Sequence, residues 1–105
     1  MEQNLEEIIK KGRKFGASYI LDQEYGVRVD IVPEGDCSSA YLRVVCEDRR
    51  IYSKFKSELE KYGFNVITPK KESAKDILGL YKVSNNEEAK AIIVKISECY
   101  EKIKK

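Results

Sequence analysis

Hydrophobic positions along this chain switch between two periods, and each switch marks an element. Between residues 4 and 14, Leu5, Ile8, Ile9 and Gly12 share one face at helical spacing, which predicts a first helix. Tyr19 to Asp22 reads as a short strand, followed by a turn at Gln23-Glu24-Tyr25-Gly26. The period then drops to two. Val27, Val29 and Ile31 alternate with Arg28 and Asp30, and after Pro33-Glu34-Gly35-Asp36 the residues Leu42, Val44 and Cys46 alternate with Tyr41, Arg43 and Val45. Two half-buried strands joined by a turn-rich loop predict an antiparallel hairpin.

The helical period returns after Asp48, which suits an N-cap. Ile51 or Tyr52, Phe55, Leu59 and Tyr62 form the stripe. Gly63 supplies a left-handed residue just past the helix, and Phe64 stands where a Schellman stop places its hydrophobic contact. A strand over Phe64–Thr68 ending at Pro69, an ambiguous stretch over 70–78, and a last strand over Leu80–Val83 follow. The final helix opens on Ser84-x-x-Glu87, a capping box, with Asn85 as the alternative cap. Ala89, Ile92, Ile93, Ile96, Tyr100 and Ile103 make its apolar stripe, while Val94 lies off it. The expected fold is therefore a single α+β domain over 1–105, in the order α-β-β-β-α-β-β-α. Its mainly antiparallel sheet is packed by helices as a two- or three-layer sandwich.

Four apolar residues fit that alternation poorly: Val32, Tyr41, Val45 and Val94. If Val32, Tyr41 and Val45 share a sheet face with Arg28 and Arg43, that face is half apolar and half basic. The first helix is its expected cover. Left uncovered, such a face suits a second copy or another protein.

Composition narrows the classes. The 105 residues are 42% hydrophobic and 36% charged, a globular balance for one core. The longest apolar run is Ala91–Val94, far short of a membrane span, and no secretory leader pattern opens the chain. Cys37, Cys46 and Cys99 are odd in number and scattered, which implies reduced thiols and a cytoplasmic setting. Cys46 and Cys99 fall on core positions, and Cys37 falls in the hairpin loop. Abundant Lys, Glu, Ile and Tyr give the composition a thermophile cast. There is no histidine. That removes Ser-His-Asp and Cys-His nucleophile systems and every His-containing zinc site. Neither a catalytic set, a metal site nor a cofactor is expected.

Twenty basic residues against eighteen acidic ones leave a net charge of +2, so polyanion binding depends on local clustering. Lys10, Lys11, Arg13 and Lys14 cluster at the end of the first helix; Arg49, Arg50 and Lys54 open the second. Arginines beside a helix N-terminus suit phosphate oxygens, and Tyr52 is placed to stack on a base. These seven cations define the nucleic-acid hypothesis for a small non-enzymatic binding or regulatory protein. The bland alternative is a solvated face neutralised by Glu6, Glu7, Glu58 and Glu60.

One resemblance implies a different chemistry. The αβββαβ order over residues 4–68, with Asp30 on a strand and Glu47-Asp48-Arg49 after the next, resembles the restriction-endonuclease-like nucleases of the PD-(D/E)XK type. These include the archaeal junction resolvases. The resemblance implies a divalent metal held by Asp30 and Glu47. Two positions depart from the motif: Val29 stands where proline is typical, and Arg49 stands for the lysine. On structural grounds alone, Asp30 is an outward strand residue, and Glu47 and Asp48 are helix-start acids.

Overall fold

The computed structural model describes residues 4–35, 39–66 and 76–104. Its elements are α1 (Leu5–Phe15), β1 (Ala17–Asp22), β2 (Val27–Glu34), β3 (Ser39–Cys46), α2 (Arg49–Lys61), β4 (Ile77–Val83) and α3 (Asn86–Lys104). The strands form one antiparallel sheet in the order β1-β2-β3-β4. This is the expected α+β class. The strand expected over 64–68 falls partly outside the described residues, and its described part, 64–66, carries no strand.

Each helix end has a local cause. Asn4 caps α1 by accepting from the Glu7 amide at 3.2 Å, and the Asp48 carboxylate caps α2 through the amides of Arg50 and Ile51. The stop after α2 is the expected Schellman motif: Gly63 has φ +87°, its amide donates to Glu60 O, and Phe64 N donates to Leu59 O. The cap of α3 differs from the leading expectation. Asn85, not Ser84, accepts from the Glu88 amide at 2.7 Å, and the Glu88 carboxylate reaches back to the Ser84 amide at 3.1 Å. The box is therefore shifted by one residue, because the helix starts at Asn86.

All four strands run longer than expected, β1 from Ala17 and β3 from Ser39. β2 continues through Pro33 to Glu34. β1 begins opposite Ile31, so at Pro33 the strand is paired on the β3 side alone, where a residue lacking an N–H is tolerated. β4 starts at Ile77, and a register shift between Val44 and Val45 accommodates the extra residue.

The core lies between the sheet and all three helices. Val27, Val29 and Ile31 of β2, Ala40, Leu42, Val44 and Cys46 of β3, and Leu78 and Val83 of β4 are buried against Ile9, Phe55, Leu59, Ile93, Ile96 and Tyr100. α3 packs between α1 and α2. The α1 layer comes very close to β2: a Cβ on Gly12 would stand 2.6 Å from Ile31 Cβ. Glycine at this position is what lets the helix backbone approach the strand. Two tethers close the ends. Tyr100 donates its hydroxyl to Asp22 at 2.5 Å, and Arg13 donates to Asn86 Oδ1 and Ser84 O at 2.8 and 3.0 Å, stapling α1 to the start of α3.

The expectation that α1 covers the half-basic sheet face is corrected here. α1 packs on the same side as α2 and α3, touching α3 directly. The molecule has two layers, and no described element covers the other side of the sheet.

Candidate functional site

Strand register fixes what occupies that uncovered side. Residues 28, 30, 32 and 34 of β2 alternate away from the core, and their partners place Ser18 and Ile20 of β1 and Tyr41, Arg43 and Val45 of β3 beside them. Leu80, Lys82 and Ile77 of β4 complete the face. Cross-strand rows follow directly. One is Ile20–Arg28–Val45–Ile77, the next Ser18–Asp30–Arg43–Leu80, the third Val32–Tyr41–Lys82.

Asp30 is the centre of the face and, among the described residues, the one charged residue that is buried, at 6% exposure. Its Oδ1 accepts from Ser18 at 2.6 Å and from Arg28 Nε at 3.0 Å; its Oδ2 accepts from Arg43 Nη2 at 2.9 Å and Nε at 3.2 Å. Burial pushes the carboxyl pKa up. The Ser18 hydroxyl and the two guanidiniums outweigh it and hold Asp30 below its ordinary value. At one end of the face, Glu34 accepts from Ser39 and Tyr41 and pairs with Lys82 at 3.3 Å, and it too is held low, first by the Ser39 hydroxyl. Three cations thus meet two carboxylates, and the face is close to neutral.

Apolar side chains surround this polar centre. Ile20 is 42% exposed, Val32 37% and Leu80 48%. Phe15, at 81%, projects beside Val32 and Pro33 on the rim of a shallow depression of about 460 Å³ that reaches Asp30 and Arg43. Val45 is buried between Arg28 and Ile77 yet stands apart from the core cluster. An aliphatic, near-neutral surface with a satisfied charged centre can dock against another protein.

The seven cations proposed for nucleic acid do not form one surface. α1 runs toward the end of the sheet where β2 finishes, carrying Lys10, Lys11, Arg13 and Lys14 there; α2 starts at the opposite end, where β3 finishes, with Arg49 and Arg50. Several are also engaged. Arg13 is the α1–α3 staple, Arg50 pairs with Asp48 at 3.0 Å, and Arg49 lies 5.1 Å over the Tyr52 ring and 3.9 Å from Asp76. Lys54 stands with Lys61 and Lys102 along the groove between α2 and α3, beside Glu58. Lys10 lies in the α1–α3 cleft with Glu6 and Lys90, which pair at 3.0 Å and thereby hold Glu6 below its usual range.

Asp30 and Glu47 are likewise kept apart. Asp30 pairs across the ladder with Arg43, and Glu47 comes four residues later, so roughly 13 Å of strand separates the two rungs. Glu47 packs over Gly26 instead. Among the described residues no group of three His, Cys, Asp or Glu side chains could hold a metal. Of the described thiols, Cys46 and Cys99 are buried, and burial pushes both up to about 11, which disfavours the thiolate. Cys37 lies outside the described residues. No helix among the described residues is long and apolar enough to cross a membrane.

Compared with known proteins, the chain matches no protein-family model, no curated protein and no solved structure. Its class rests on its own architecture, a two-layer α+β sandwich with one sheet face that no described residue layer covers.

Proposed function

We propose that the chain is a non-enzymatic protein-interaction module that docks through the uncovered sheet face. The observation that carries this reading is the exposure of Ile20, Val32 and Leu80 around a charge cluster that already satisfies itself. Burying exposed aliphatic surface favours association, and Asp30 enters the interface already paired with Arg28 and Arg43. Among the described residues the exposed large apolar side chains of the helix layer are Phe15, which borders the sheet face, and Val94 and Tyr62, of which Tyr62 lies beneath the Lys102 ammonium at 4.7 Å.

Site-specific photocrosslinking in cells tests the proposal. A benzoylphenylalanine replacing Leu80 is expected to give discrete protein adducts, and the same group replacing Val94 is expected to give few. Equal yields at the two positions, or none at Leu80, would overturn it. So would tight, steeply salt-dependent oligonucleotide binding that is lost when Lys10, Lys11 and Lys14 become alanine.

A further inference from the structure

Resting on that reading, we propose that the occupant of the open face is a second copy of the same chain, related by a two-fold axis running parallel to the strands over the β2–β3 seam. The face complements itself under this operation. β2 of one copy lies over β3 of the other and β1 lies over β4. Asp30 then meets Arg43, Val32 meets Tyr41, and Ile20 meets Ile77, each pair occurring twice as an isologous interface requires. Phe15, at the free corner beside Val32, comes over the level of Lys82, where an ammonium against an aromatic face is favourable. The alternative face-to-face two-fold runs across the strands. Where it crosses the Asp30–Arg43 row at the centre of the face, it stacks Asp30 on Asp30 and Arg43 on Arg43, and like charges oppose it.

Size agrees with a reversible dimer. Four strands at about 4.8 Å spacing and eight residues at about 3.3 Å rise give a flat footprint of roughly 500 Å². Two such faces bury on the order of 1,000 Å², the lower bound of a specific interface. Two twisted sheets stacked this way lie about 10 Å apart with their strands within about 30° of one another.

Sedimentation equilibrium of the purified chain from about 1 to 200 µM, in roughly 0.15 M salt, tests it. The expected result is a monomer–dimer equilibrium, weakened at least tenfold by Leu80→Lys. The axis has its own test. Ile20→Lys and Ile77→Glu each place a charge against an aliphatic residue and should each give monomers, whereas their equimolar mixture should recover a heterodimer within about threefold of the parent affinity. Circular dichroism confirms that each variant stays folded. A parent chain that remains monomeric to 200 µM overturns the second copy, and a mixture that stays monomeric overturns the axis. Adducts from position 80 to a different protein, with the purified chain monomeric, leave the docking face standing and remove the self-association alone.

Discussion

The two faces of one sheet have been given opposite tasks by residues that alternate along the same strands. On β2, Val27, Val29 and Ile31 are all but completely buried under three helices, while Arg28, Asp30 and Val32, each one residue away, look out from a side that no described element covers. Packing on the first side is hydrocarbon against hydrocarbon. On the second, a carboxylate held by two guanidiniums and a hydroxyl lies among exposed aliphatics. One face therefore supplies stability, and the other is the one we propose to bind a partner. Substitutions one residue apart should consequently behave as though they belonged to different proteins.

The largest contrast is between Phe55 and Leu80. Phe55 is fully buried, its ring tilted against that of Tyr100 at 5.5 Å, so Phe55→Ala should cost about 3–5 kcal/mol in a denaturant titration. Leu80→Ala should stay within about 0.5 kcal/mol. Similar losses at both positions would mean that the face bearing Leu80 is covered in the folded monomer.

Next comes Gly12→Ala. Alanine gains about 1 kcal/mol of helix propensity over glycine, but its methyl would meet the Ile31 side chain at 2.6 Å. A net loss of about 1–2 kcal/mol is expected, seen as a lower denaturation midpoint. A stabilised variant would show that α1 does not approach the sheet this closely.

Asp30→Asn keeps shape and removes charge, for an expected loss of about 1–2 kcal/mol at pH 7, since Arg28 and Arg43 remain partly solvated. The pH dependence sharpens it. The folded carboxyl titrates below its unfolded value, so its contribution is complete above about pH 4 and disappears as pH falls through the folded pKa. The gap between parent and variant should shrink as acid is added. A gap constant from pH 7 to pH 2.5 would mean that the charge contributes nothing.

The smallest effect is expected at Tyr81. Its hydroxyl is buried without a hydrogen-bond partner among the described residues, and burial pushes its pKa up to about 12. The ring is held edge-on by Phe64 at 5.2 Å. Tyr81→Phe should therefore be neutral or stabilising by up to about 1 kcal/mol in thermal unfolding. A clear loss would reveal a partner for that oxygen.

What could be foreseen from residue order follows from the range of the forces involved. The β2–β3 alternation, the Gly63–Phe64 stop and the core positions of Cys46 and Cys99 depend on neighbours a few residues away, and all three appear as expected. The start of β4 did not, because Gly79 and the shift beside Val45 interrupt the period. Helical periodicity showed that α1 is amphipathic but could not say which sheet face it covers. That choice is fixed by the close approach of Gly12 to Ile31 and by the Arg13 staple to Ser84 and Asn86, more than seventy residues along the chain. Likewise Asp30 looked like a lone strand carboxylate until register set Ser18 and Arg43 beside it.

Methyl NMR of the Leu80→Lys variant, at a concentration where sedimentation shows it monomeric, with a soluble paramagnetic probe measures most directly whether one sheet face is bare. The methyl signals of Ile20 and Val32 should broaden strongly, while those of Val29, Ile31 and Leu42 should stay sharp. Equal protection of Ile20, Val32 and Ile31 in that monomer would contradict the account.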